Sequence, residues 1–283
     1  MAMNVREQAI GIPGPQADML GIVSLPESGT ALQHTALVVV VGGAQYRAGS
    51  HRQFVQIARH VAGSGFPALR FDFPGMGDSP GEPLAFEDTS AHIAAAITAV
   101  FQHCPQVKQV VLFGLCDGAS ASLLYMRSTQ DPRVAGLALI NPWVRSEVSL
   151  ARAQVKHYYL WRLAEPAFWR KLFSGKVGLQ AIKDLGNSLR TLRAKNPAQP
   201  SFQEAMAQAW KEFGGPILLL LSERDLVAKE FQEHAQSDTR WTGLLQRPGL
   251  SQMTIKGADH TCSSSTASRQ TESLVLEWLR AIR

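Results

Sequence analysis

The stretch VVLFGLCDGASA, residues 110–121, runs from an apolar segment into Gly-Leu-Cys-Asp-Gly and then into small residues that tolerate a helix. Glycines two positions before and two after a central residue permit a very tight strand-to-helix bend, which holds the central side chain up at the edge of a sheet. Serine normally occupies that centre; here it is Cys116. A thiol at a helix N-terminus meets backbone N–H groups and the positive end of the helix dipole, and both favour the thiolate. Most free cysteines are only small hydrophobic fillers. The strand–turn–helix setting reverses that expectation and points to a nucleophile.

A nucleophile of this kind needs a base, and the base needs a group that orients it. In MTIKGADHTCS a strand pattern passes into a loop that presents His260. His51, His60, His92 and His157 fall on helical patterns instead and read as surface or packing residues. One strand earlier, ILLLLSERDLV ends on Asp225 at a matching loop position. The order Cys116, Asp225, His260 is the chain order that accompanies this type of bend. Asp117 adjoins the nucleophile and is expected to point away from it, while Asp259 is too close to His260 in sequence to reach its ring. INPW, at the end of the strand before the Asp225 strand, puts Asn141 where an acid could stand, and Glu223 is the fallback orienter. The oxyanion of an acyl intermediate would be met by the backbone N–H of Asp117 and by that of Ala44 or Gln45 in GGAQY.

This set of groups performs acyl transfer through a thioester, with His260 acting first as base and then as acid. Water cleaves a thioester, and amines or thiols attack it more readily, so hydrolysis and acyl transfer use the same residues. A non-catalytic scaffold that keeps Cys116 as a remnant is the contrasting class. No metal or cofactor is called for. Cys104, Cys116 and Cys262 show neither paired metal-ligand spacing nor a disulfide framework, which suits reduced thiols in the cytoplasm. Cys262 lies two residues past His260, but a loop cysteine without a role is the expectation for it. The glycine-rich DFPGMGDSPG lacks the Lys-Ser/Thr ending of a phosphate loop and reads as a structural loop beside the site.

The elements that must position these groups follow from hydrophobic patterning. Two early strands, REQAIGIPG and ADMLGIVSLPE, form an antiparallel pair, and TALVVVVGGAQY is too apolar to face water on either side. Strand and helix patterns then alternate to the end of the chain, which predicts a mostly parallel sheet between helices. The alternation breaks over residues 144–213, a segment rich in aromatics and in Lys and Arg. It reads as a helical lid inserted into a core made of residues 1–143 and 214–283.

The chain has 283 residues, 45% of them hydrophobic and 18% charged, with a formal charge of +5. That charge lacks the aromatic-and-basic motif of a nucleic-acid binder. No apolar run reaches the roughly 20 residues that span a bilayer, and the N-terminus lacks the pattern of a signal peptide. The expected partner is a small acyl ester or thioester; the lid cations would suit an anionic one.

Taken together, VVVVGGAQYRAGSHRQF, RFDFPGMGDSPGE, GLCDGASA, SERD and GADHT resemble the α/β-hydrolase superfamily in content and order over nearly the whole chain. The resemblance implies a central sheet of about eight strands with helices on both faces and a helical lid. More narrowly, the cysteine bend together with GGAQYR resembles the first type of hydrolase associated with exosortase A systems, bacterial proteins encoded beside exopolysaccharide and protein-sorting genes. Dienelactone hydrolases likewise pair Cys, Asp and His on this fold, but the long basic insertion departs from those small enzymes.

Overall fold

The computed structural model describes residues 5–27, 30–43, 45–145 and 201–282. Strands β1 (Val5–Ile12) and β2 (Met19–Pro26) form the expected hairpin, in antiparallel register from Val5 opposite Pro26 to Ile12 opposite Met19. There follow β3 (Thr35–Val40), helix α1 (Gln53–Gly63), β4 (Ala68–Phe71), α2 (Ser90–His103) and β5 (Gln109–Leu115). Next come α3 (Asp117–Thr129), β6 (Val134–Ile140), α4 (Phe202–Glu212) and β7 (Ile217–Ser222). Helix α5 (Leu226–Ser237), β8 (Leu250–Ile255) and α6 (Ser265–Ala281) complete the order.

The strands make one eight-stranded sheet in the order β1-β2-β4-β3-β5-β6-β7-β8. From β4 to β8 every neighbour is parallel, and only β2 runs against the rest. Period-2 alternation explains why the central strands are apolar throughout. Val38, Val40, Leu112, Leu139 and Leu219 point to one face, where α2, α3, α4 and α5 supply Ile93, Leu123, Trp210 and Phe231. Leu37, Val39, Phe113, Ile140 and Leu218 point to the other, against Val61 of α1 and Leu279 of α6.

The structure differs from the sequence reading in two places. The insertion was expected to run to residue 213, yet Ser201 already opens α4 with a capping box: its side chain accepts from the Glu204 N–H while the Glu204 carboxylate accepts from the Ser201 N–H. Trp210 of this helix is fully buried against Phe231 and Trp241. The core unit accordingly comprises residues 1–144 and 201–283. The expected lid, from residue 146 to residue 200, lies outside the described residues. Helix α5 was not anticipated, because only Ala228, Phe231 and Ala235 of its residues are buried and its apolar stripe is thin.

Candidate active site

All three chemistry-bearing residues emerge past the carboxyl ends of the parallel strands β5, β7 and β8, the edge where open α/β sheets place their ligands. Cys116 follows β5 and is the residue before α3, with φ 60° and ψ −126°. That is a strained conformation for a residue with a side chain, and the surroundings force it. Its N–H donates to Ile140 O at 2.9 Å, and its carbonyl accepts from the N–H groups of Ala119, Ser120 and Trp143. The flanking glycines are required by close approach. A Cβ on Gly114 would fall on the Gly118 backbone, one on Gly118 on the Val40 carbonyl, and one on Gly42 on the Asp117 carboxylate. These contacts bring the bend directly under the loop that follows β3.

Asp225 ends the turn after β7 and caps α5, where its carboxylate accepts from the N–H groups of Val227 and Ala228, both at 3.2 Å. The remaining lone pairs face His260. The imidazole Nδ1 of His260 stands 2.8 Å from Asp225 Oδ2, with the carboxylate almost fully buried. Backbone links from Glu223 N–H to Ile255 O and from Arg224 N–H to Ala258 O fasten the two loops and make that meeting possible. With Nδ1 taken by Asp225, Nε2 is the nitrogen left for the Cys116 sulfur, which is among the influences that raise the pKa of the ring.

The electrostatics follow from these contacts. The hydrogen bond to Asp225, then that to Cys116, outweighs the effect of burial and pushes the His260 pKa up to about 10. Burial alone would push Asp225 up, but its hydrogen bond to His260, the charge of that ring and the two helix N–H groups hold it below the usual carboxylate range. Cys262 is buried near Ser222, and burial pushes its thiol up. All three cysteines are free.

The other residues weighed from sequence have clear positions. Glu223 accepts from the Gly257 N–H at 2.6 Å and serves the loop. Asp259 accepts from the Ser263 N–H at 2.8 Å and from the Ser263 hydroxyl. Gln45 donates its N–H to Gly42 O at 3.4 Å in a turn, so that N–H faces the loop itself. Ala44 lies outside the described residues. Asp117 does not simply point away: it folds onto the β3 loop, and its Oδ2 accepts from the Gly43 N–H at 2.7 Å.

Sequence reasoning missed the part played by Asn141. This fully buried residue, with φ 45°, accepts from the Ser222 N–H at 2.8 Å through Oδ1. Its Nδ2 donates to Ser222 Oγ at 3.0 Å and to the His260 carbonyl at 3.1 Å. One amide thus ties the end of β6 to β7 and to the histidine loop. A polar residue closing an all-apolar strand was the available signal. A second anchor lies across the sheet, where fully buried Asp72 receives the Arg47 N–H at 2.6 Å and pairs with the Arg47 guanidinium. This links the loop after β3 to DFPGMGDSPG, which is structural as expected. Among the described residues no group of His, Cys, Asp and Glu is arranged to hold a metal ion.

Comparison with known proteins agrees with this architecture. The sequence profile described as "Alpha/beta hydrolase family" matches residues 37–271. The chain is similar in structure to an esterase from Pyrococcus furiosus, at 16% identity and a TM-score of 0.63, covering 99% of this chain and 94% of that one. It is also similar to an α/β serine hydrolase homologue from Coxiella burnetii, at 15% identity and a TM-score of 0.60, covering 96% and 97%. A third likeness is to an α/β-hydrolase from a Penicillium species, at 19% identity and a TM-score of 0.61, covering 98% of each. Curated proteins offer no match by sequence. The profile spans most of the chain, strand order and bend agree with it, and the protein belongs to the α/β-hydrolase family.

Proposed function

We propose that this chain is a hydrolase that cleaves a carboxylic ester or thioester through Cys116, His260 and Asp225. The observation that carries the reading is the His260–Asp225 contact of 2.8 Å, presented at the same sheet edge as the strained bend that bears Cys116. In the resting pair the proton of the Cys116 thiol has already passed to His260, whose pKa is pushed up to about 10, and the sulfur attacks the acyl carbon. The carbonyl π pair moves onto oxygen, then returns and expels the alcohol or thiol, which takes the proton from His260. Water then gives a proton to His260 as it attacks the thioester, and the departing sulfur recovers that proton. Asp225 keeps the ring in the orientation that both proton transfers need.

The esterase and serine-hydrolase relatives support an acyl-transfer chemistry, and the motif resemblance supports a place among exosortase-associated bacterial hydrolases. Free cysteines suit a reducing compartment such as the cytoplasm. No helix of the described residues is long and apolar enough to cross a membrane.

The test is to expose the protein to p-nitrophenyl butyrate and weigh it after acid quench. The expected result is one butyryl group on Cys116, lost slowly in water and absent from Cys116→Ala. His260→Ala should slow its formation by about 10²–10⁴-fold, the usual worth of a positioned base. Faster loss with an added amine would make acyl transfer the reading to prefer. Butyrylation spread evenly over Cys104, Cys116 and Cys262 would discard the triad and leave a binding protein.

A further inference from the structure

Strand β6 supplies no group of the triad, yet it lies between β5, which leads to Cys116, and β7, which leads to Asp225. The main chain at its end holds the nucleophile on both sides. The Ile140 carbonyl accepts from the Cys116 N–H at 2.9 Å, and the Trp143 N–H donates to the Cys116 carbonyl at 3.2 Å. Between these two residues stands Asn141, fully buried and in the left-handed region at φ 45°. Its side chain reaches the other two members of the triad through their backbone.

Both amide hydrogens of Asn141 are used, one on Ser222 Oγ at 3.0 Å and one on the His260 carbonyl at 3.1 Å, while Oδ1 accepts from the Ser222 N–H at 2.8 Å. These partners fix which way the amide lies, since a flipped amide would set N–H against N–H and oxygen against oxygen. The Ser222 carbonyl accepts in turn from the Asp225 N–H at 3.2 Å, closing the turn that carries the orienting carboxylate. Ser222 Oγ also stands 3.7 Å from Sγ of Cys262, two residues past the histidine. One buried amide therefore grips the Asp225 turn and the main chain of His260 together.

The imidazole and the carboxylate that meet at 2.8 Å stand on separate loops, after β8 and after β7. A hydrogen bond weakens steeply once its distance and angle depart from the optimum, so their contact depends on whatever fixes one loop against the other. Resting on the catalytic reading of Cys116, we propose that Asn141 is a positioning residue for the reaction, holding His260 at its distance from Asp225 and both in register with the bend that bears the sulfur. It touches neither substrate nor reacting atoms and acts through Ser222 and the His260 backbone. Joining β6 to β7 needs only the bonds to Ser222; the bond to the His260 carbonyl, 119 residues on, is the one that serves the site.

The experiment compares the wild type with Asn141→Gly, Asn141→Asp and Leu139→Ala. Glycine accepts the positive φ and removes the amide. Aspartate keeps the shape and the acceptor, but its carboxylate has no hydrogen to donate to the His260 carbonyl. Leu139, fully buried on the same strand, is the control: its truncation leaves a cavity that destabilises the core while the amide stays. Two quantities are read, the NMR titration midpoint of the His260 imidazole and the rate of Cys116 acylation by p-nitrophenyl butyrate. In Asn141→Gly the midpoint should fall by about one pH unit or more toward 6.5, a tenfold loss in the preference for the charged ring. Acylation should slow by about tenfold or more, part of the 10²–10⁴-fold that a positioned base supplies. Asn141→Asp should slow acylation likewise, and it is judged by that rate alone because its own charge acts on the ring. Leu139→Ala should unfold at lower urea yet keep the wild-type midpoint and rate. A wild-type midpoint and rate in Asn141→Gly overturn the proposal, and so does an equal loss in Leu139→Ala, which would assign the effect to a loosened strand. Failure of every form, wild type included, to acylate Cys116 removes the catalytic reading and the role in the reaction with it; the midpoint, read without substrate, then decides separately whether Asn141 holds the ring.

Discussion

At the scale of single residues, the most informative group is His260. Its ordinary pKa of 6.5 is pushed up to about 10, first by the hydrogen bond to Asp225 and then by Cys116. The ring therefore keeps its proton through neutral pH. The linkage has a definite sign, because a raised pKa means that the folded state binds this proton more tightly than the unfolded chain. The stabilisation is complete below pH 6.5 and is lost as pH rises through about 10. An NMR titration of the imidazole should place its midpoint near 10 in the wild type. Asp225→Asn removes the largest raising influence and should move that midpoint down toward 6.5. A wild-type midpoint already at 6.5 would mean that the ring does not feel its two partners. Much of this was legible in sequence, because Cys116 and His260 announce themselves by residue type at strand ends. Asn141 did not, because an amide that acts through three hydrogen bonds leaves no spacing to read.

At the scale of elements, one carboxylate serves two structures. Asp225 orients His260 and also satisfies two of the orphan N–H groups that begin α5. These roles separate by mutation. Asn at position 225 can still accept from a helix N–H through its one amide oxygen but carries no charge for the imidazole; Ala supplies neither. Urea denaturation at neutral pH should therefore show Asp225→Ala less stable than Asp225→Asn by about 1 kcal/mol, the usual worth of a cap. Both variants should lose acylation alike. Equal stabilities would show that the cap contributes nothing. The sheet was readable because buried parallel strands are apolar on both faces, as in TALVVVVGGAQY. Helix α5 escaped because its start signal, Asp225, had already been assigned to chemistry, and its three small or spaced apolar residues made no clear stripe. The end of the insertion was misplaced for a related reason. Aromatic content was read as lid, although Trp210 is buried in the core.

At the scale of the whole molecule, stability at low pH should rest on ion pairs remote from the catalytic edge. Glu7 on β1 lies against Arg59 of α1 and Arg70 of β4, with the Arg70 guanidinium 2.7 Å from its carboxylate. Partial burial pushes Glu7 up, but the hydrogen bonds and charges of the two arginines outweigh it and hold its pKa at about 2. Asp131 is likewise held at about 2, where burial is outweighed by Arg133 and by the Tyr125 hydroxyl. A lowered pKa has the opposite sign to that of His260. The folded state binds the proton more weakly, so the stabilisation is present above the ordinary carboxylate values of 4.5 and 3.8 and is lost as pH falls through about 2. The unfolding free energy should therefore drop between about pH 4.5 and 2, and Glu7→Gln combined with Asp131→Asn should flatten that part of the curve. Glu7 sits on the hairpin and Asp131 just before β6, so neither substitution touches the bend or its partners. Denaturation measured at successive pH values checks the slope, and acylation of Cys116 at pH 7 serves as the control. An equally steep acid limb in the double variant would assign the loss to other carboxylates and leave these two pairs without weight in the fold.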